Sequence, residues 1–281
     1  MKTKLKLFFT VIIVLSFTSC MTSSYYQAYS VAPTSIMVTN ENNLIYEDEN
    51  CTVSYNLWDN KGNIGFGFYN KTNQDIFLNL DKCFFILNGI ASDYYKNRIF
   101  TNSASSGAIT SSVVSASKSV SGVNIFDLFQ TNKIQSTKGI DFTSTSGRSI
   151  SFNEEKIVCI PSKTSKIIAE FNINETIYRD CDLLRYPSKR QIKTITFTKD
   201  NSPLVFSNRI TYNIGKSEVP VKFENEFFVT NITNYSEKDF TTSKKEVICG
   251  QETLDSKKYF KYSSPNKFYI QYEKGSNEVD Y

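Results

Sequence analysis

Between residues 51 and 88 the chain alternates apolar and polar side chains with a period of two, and polar turns interrupt the alternation. Cys51, Val53, Tyr55 and Leu57 fall on one side, with Thr52, Ser54 and Asn56 on the other. That is the spacing of a strand with one buried face. The run 59–63 (Asp-Asn-Lys-Gly-Asn) is made of residues that tolerate positive φ, so it predicts a turn. Beyond it Ile64, Phe66 and Phe68 share one face, opposite Gly65, Gly67 and Tyr69. Ile76, Leu78 and Leu80 alternate next, and residues 83–87 are apolar on both faces, as a covered central strand would be. Short strands recurring about every 8–12 residues predict an antiparallel β-sandwich. The pair Gly65 and Gly67 could suggest a nucleotide loop, but no helical periodicity follows, and a phosphate site of that kind needs a helix N-terminus. A strand face crossed closely by another backbone accounts for both glycines.

The same pattern recurs further on. Leu44-Ile45-Tyr46 opens the first predicted strand. Residues 155–160 form a strand that Pro161 ends, and Ile167, Ala169, Phe171 and Ile173 alternate after it. Leu204, Phe206, Ile210, Tyr212 and Ile214 share a face on which Asn208 is the one polar interruption; Val221, Phe223, Phe227 and Val229 form the next such face. Residues 257–262 and 268–272 supply extra C-terminal strands. Residues 101–124 hold eleven Ser or Thr in 24 positions, too little apolar surface to offset the entropy of ordering. An insertion over 101–151 is therefore expected, with a short helix near 123–129. Residues 174–191 read as irregular loop and 274–281 as a tail. The expected organisation is a signal segment over 1–19, a tether over 20–43 and one elaborated sandwich domain over 44–273.

Composition narrows the chemistry. There is no histidine, which excludes Ser-His-Asp and Cys-His catalysis, HExxH zinc sites and His-carboxylate iron centres. Ser115-Ala116-Ser117-Lys118 fits Ser-x-x-Lys, but neither Lys-Thr-Gly nor Ser-Asp-Asn accompanies it. Net charge is +4. Without residues 1–19 it becomes 29 basic against 28 acidic groups, which provides no steering field for nucleic acid. Glu47-Asp48-Glu49-Asn50 lacks EF-hand spacing, and Asp180 with Asp182 would supply only two ligands, so no metal is expected. No cofactor motif is present.

The N-terminus carries an address. Lys2, Lys4 and Lys6 precede an apolar run from Leu7 to Phe17, which is short for a bilayer span and suited to a signal peptide. Phe17-Thr18-Ser19-Cys20 resembles the lipobox of bacterial lipoproteins in its looser Bacteroidota form, although Phe17 stands where an aliphatic residue is usual. The resemblance implies cleavage before Cys20 and acylation of its thiol and amine with palmitate-type chains. Residues 21–29 lack both an inner-membrane retention aspartate and an acidic export run. By the same resemblance the protein is then held in the outer membrane, facing the periplasm. The Ile-Pro strand end, polar turn and following strand are similar to Ig-like accessory domains of such proteins. Residues 55–58 (Tyr-Asn-Leu-Trp), 68–72 (Phe-Tyr-Asn-Lys-Thr) and 84–89 (Phe-Phe-Ile-Leu-Asn-Gly) resemble a family of Bacteroidota outer-membrane lipoproteins that brings no activity with it.

Five cysteines remain beyond Cys20: Cys51, Cys83, Cys159, Cys181 and Cys249. Cys83 and Cys159 lie in apolar runs and read as buried small side chains. Cys181 and Cys249 have polar neighbours and form the candidate disulfide of an oxidising compartment. The expected function is that of a non-enzymatic, lipid-anchored sandwich that binds an envelope protein or glycan or supports an envelope assembly. The alternative is a carboxylate-based glycan hydrolase drawing on Glu154, Glu155, Asp180 or Asp182. Trp58, Tyr94 and Tyr95 read either as sugar-stacking rings or as core packing.

Overall fold

The computed structural model describes residues 23–34, 37–39, 42–105 and 147–274, the side chains of 101–105 and 147–152 excepted. Cys20, the Ser-x-x-Lys match, the expected helix near 123–129 and the tail beyond residue 274 lie outside the described residues. The architecture is all-β and antiparallel. The larger sheet runs, in spatial order, β11 (Ile157–Ile160), β6 (Ile76–Asn79), β14 (Val205–Ile214), β15 (Val221–Ser236), β1 (Ser23–Pro33) and β18 (Lys267–Lys274). Beside β6, β7 (Phe84–Leu87) also pairs with β14 and carries β8 (Ile90–Asp93); β13 (Thr194–Thr196) pairs with β15 where β14 has ended. The smaller sheet runs β12 (Ser165–Ile168), β5 (Phe66–Asn70), β4 (Cys51–Tyr55), β3 (Leu44–Glu47) and β2 (Val38–Thr39).

The alternating residues of the sequence become the space between these sheets. Val53, Tyr55, Phe66 and Phe68 of the smaller sheet are fully buried, as are Ile210, Tyr212 and Phe227 of the larger. Aromatic edges join the layers: Tyr55 meets Phe227 at 5.2 Å and Phe68 meets Tyr212 at 5.4 Å, both edge-to-face. Each such side chain contributes about 1.5–3 kcal/mol by leaving water. The turn before β5 places Lys61 and Gly62 at φ of 71° and 74°. A side chain at Gly62 would also press on Ile173 and Phe268 at under 3 Å. At Gly65 an added Cβ would lie 2.9 Å from that of Ala169, the close crossing expected from the sequence.

Two polar pairs sit inside this apolar space. Asn208 on β14 and Asn225 on β15 are direct cross-strand partners, and both are fully buried. Asn208 donates to the Ile64 carbonyl at 2.9 Å and accepts from the Tyr94 hydroxyl at 2.7 Å. Asn225 donates to the Tyr55 hydroxyl at 2.9 Å. Further along β15, Asn234 faces Gln27 of β1, and this pair is buried too. A bulge separates the two pairs: Val31 faces Val229 but Ser30 faces Asn231, so β15 carries one extra residue, Thr230. The extra residue switches the parity of inward positions from 225, 227 and 229 to 232 and 234.

The structure corrects the expected tether. Ser23–Pro33 is a strand flanked by β15 and β18 in the larger sheet, with Tyr26, Gln27, Tyr29 and Val31 buried. Its inward row runs Tyr25, Gln27, Tyr29, Val31, and glutamine breaks the apolar signal. Two further strands, β8 and β16 (Thr241–Ile248), have no strong alternation. Among the described residues β16 pairs only with β17 (Gln251–Phe260), in a two-stranded ribbon, so neither face has to be apolar. A single helical turn, α1 (Glu237–Phe240), joins β15 to this ribbon. Phe171 and Ile173 pack as expected, but from irregular chain beyond the end of β12.

The register predicts an asymmetry between neighbours. Phe68 is fully buried whereas Tyr69, beside it, is 37% exposed. Phe68→Ala should cost about 3–5 kcal/mol through lost burial and the cavity left behind, and Tyr69→Ala about 1–2 kcal/mol. Urea midpoints of the two variants check this; equal losses would contradict the assignment of faces.

Candidate functional site

A shallow cleft lies at the end of the larger sheet where β1 begins. There residues 177–193 cross β1 and β15 with one short 3-10 turn (Lys189–Gln191), their polar backbone tied to side chains of the sheet. Gln27 Nε2 donates to the Tyr178 carbonyl at 2.9 Å and to Asn234 Oδ1 at 2.8 Å. Gln27 Oε1 accepts from the Tyr29 hydroxyl and, at 2.6 Å, from the Tyr178 amide. Asn234 Nδ2 donates to the Leu184 carbonyl at 3.0 Å, and the Tyr272 hydroxyl donates to the carbonyl of Arg185. The cleft, of about 340 Å³, lies above this network and is lined by Tyr178, Arg179, Asp180, Leu183, Leu184 and Arg185. Burial raises the Tyr29 and Tyr272 phenols well above their ordinary range. They remain protonated donors, so the floor of the cleft is neutral and holds shape rather than moving protons.

Glu154 and Asp180, two of the candidate acids, are engaged by separate local partners. Glu154 lies just after β10 (Gly147–Asn153), and Arg98 just before its partner strand β9 (Ile99–Ser105). Arg98 Nε and the amides of Lys96 and Arg98 all donate to Glu154 at 2.9–3.1 Å. The other side of the guanidinium reaches Glu170 at 2.6 and 3.0 Å. Burial opposes ionisation of Glu154, but the hydrogen bonds from Arg98 and Lys96 outweigh it and hold the carboxyl below its usual range. This network forms the stem of the β9–β10 pair. Asp180 instead accepts from the Asp182 amide at 2.8 Å, within its own turn. Asp48 likewise caps a turn through the amides of Asn50 and Cys51.

The remaining candidates are structural. Tyr94 is buried against Asn208. Trp58 is half-buried in a second aromatic cluster with Phe240, Phe260 and Tyr269, at 5.1–6.0 Å. That cluster fixes the base of the β16–β17 ribbon to the outer face of β1, where Tyr26 stacks on Phe240 at 4.8 Å. Burial pushes the Cys83 thiol up to about 11 and raises Cys51 as well, so neither is a nucleophile at neutral pH. The expected Cys181–Cys249 bridge is not formed: both are free and exposed. Cys249 sits at positive φ beside Gly250 in the turn of the ribbon, and Cys181 in the turn of the cleft. Polar neighbours marked both as exposed, and exposure carries no information about adjacency. The segment 177–193 was legible only as loop; its anchoring rests on Gln27 and Asn234, inward amides that propensity alone does not single out.

The stem network gives a prediction with a pH sign. Glu154→Gln should destabilise the protein by about 1–3 kcal/mol, the range for a hydrogen bond to a charged group. A carboxyl with a lowered folded pKa stabilises fully above its unfolded value of about 4.3. The advantage of wild type over the variant should therefore persist at neutral pH and shrink as pH falls below about 4, as unfolding midpoints across pH would show. A difference that grows toward low pH would contradict the assignment.

No protein-family model, curated protein or solved structure matches the chain.

Proposed function

We propose that this chain is an outer-membrane lipoprotein facing the periplasm, anchored through acyl chains on Cys20, whose sandwich is a binding or structural module of the cell envelope. The observation that carries the reading is the ordered succession of Lys2, Lys4 and Lys6, the apolar run from Leu7 to Phe17, and Ser19-Cys20. Each buried methylene contributes about 0.8 kcal/mol, so several acyl chains amount to lasting attachment. Support for a non-catalytic role comes from the uses to which the polar groups are put. Glu154 and Glu170 neutralise Arg98, Asp180 caps a turn, and the buried amides of Gln27, Asn208, Asn225 and Asn234 bond to backbone, to tyrosine hydroxyls or to one another. A protein or glycan of the envelope is the partner this module would take.

Cys20→Ala should leave the protein unprocessed or release it from membranes. Mass spectrometry of the mature N-terminus should find acyl chains on Cys20 in wild type. An unmodified N-terminus on a membrane-free wild-type protein would overturn the reading.

A further inference from the structure

Once Cys20 is acylated, the point at which β1 begins decides how the domain meets the membrane. Only residues 21 and 22 separate Cys20 from Ser23, the first residue of β1. Three peptide units reach at most about 11 Å. The lipid therefore holds the end of the larger sheet at the bilayer surface, with no tether that would let the domain stand away. What lies at that end of the sheet is then a membrane-facing surface.

Its chemistry suits the task. Ser23 pairs with Lys274, and Tyr25 pairs with Ser236 at the last turn of β15. Tyr25 lies edge-on to Tyr186 at 5.0 Å, and Lys274 and Arg185 stand over the Tyr186 ring at 5.7 and 5.3 Å. Leu184 is 47% exposed beside them. Residues 177–193 contain five basic side chains (Arg179, Arg185, Lys189, Arg190 and Lys193) against two acidic ones, Asp180 and Asp182. The mature chain as a whole is close to neutral, so this surplus is a local feature.

We propose that this end of the larger sheet, with the segment 177–193 as its centre, lies against anionic phospholipid headgroups and fixes the orientation of the domain on the membrane. The proposal rests on the lipoprotein reading for its setting, but the surface has its own chemistry. Half-buried tyrosines prefer the headgroup level, where one end is apolar and the other wet. Beside the acyl chains, each basic group near an anionic surface adds electrostatic attraction that favours one orientation. The opposite end of β15 would then point into the periplasm, about 50 Å away at roughly 3.3 Å per residue.

The test separates the surface from the anchor. An unacylated chain beginning at residue 21 is sedimented with vesicles of phosphatidylethanolamine containing phosphatidylglycerol, at low and at high salt. Binding should appear with the anionic lipid, weaken with salt, and fall at least tenfold in Lys189→Glu/Arg190→Glu, both of whose positions are exposed. Lys216→Glu/Lys222→Glu, at the far end of the β14–β15 hairpin, should leave binding within about twofold of wild type. Absence of binding, or equal loss in the two double variants, would overturn the proposal. Acylated wild-type protein without this vesicle binding would leave the anchor standing and remove the membrane-facing surface; vesicle binding by a chain that is never acylated in cells would do the reverse.

Discussion

The fold depends on amides placed where the sequence pattern calls for apolar side chains. Dispersion and burial between Phe66, Phe68, Tyr212 and Phe227 favour closing the two sheets, but they are tolerant of sliding. Asn208 and Asn225 are not tolerant. A buried amide without its partners costs about 1–3 kcal/mol; Ile64 and Tyr55 supply theirs from across the core, and Tyr94, just beyond β8, supplies one from the same sheet. A shift of the smaller sheet by one residue would break the bonds to Ile64 and Tyr55 and turn Tyr69 inward in place of Phe68. Polar pairing thus selects one register out of those that burial alone would permit.

The same strand repeats the device. β15 is 16 residues long and serves as the spine of the larger sheet, with Asn225 clamping the sandwich and Asn234 tying β1 and the 177–193 segment. The bulge at Thr230 lets both amides face inward despite their odd and even positions. Through Asn234 and Gln27 the spine holds the strand that follows Cys20. The proposed anchor is in this way wired to the core: a pull on the N-terminus loads a central strand paired on both sides, rather than a loose leader.

How far the sequence carried the fold follows from where the physics is local. The strands over 51–58 and 64–69 were readable because turns and alternation coincide there, and one face is buried and the other wet. Asn208 was visible as an interruption, but its role required Tyr94 and Ile64, which lie far away in sequence. β1 was hidden because Gln27 occupies an inward position and looks like a loop residue until Asn234 is set opposite it. The β16–β17 ribbon was hidden for the opposite reason: beyond its packed base its side chains are mostly exposed on both faces, so its strands need no period. At the candidate site the residue types of 177–193 were legible, whereas the cleft and its neutral floor were set by contacts that no local pattern carries.

Asn208 holds its place in the core through its bonds to Ile64 and Tyr94, against its cost as a polar group in an apolar space. Urea unfolding of Asn208→Leu, Tyr94→Phe and the double variant tests it most directly. Leucine is the more hydrophobic side chain and of similar size, so a core governed by burial alone would gain or hold stability. Asn208→Leu should cost about 2–4 kcal/mol, from the stranded Ile64 carbonyl and Tyr94 hydroxyl. Part of that loss should be recovered when Tyr94→Phe removes the second of these, giving a coupling of about 1 kcal/mol or more. A neutral or stabilising Asn208→Leu, with strictly additive effects in the double variant, would contradict it.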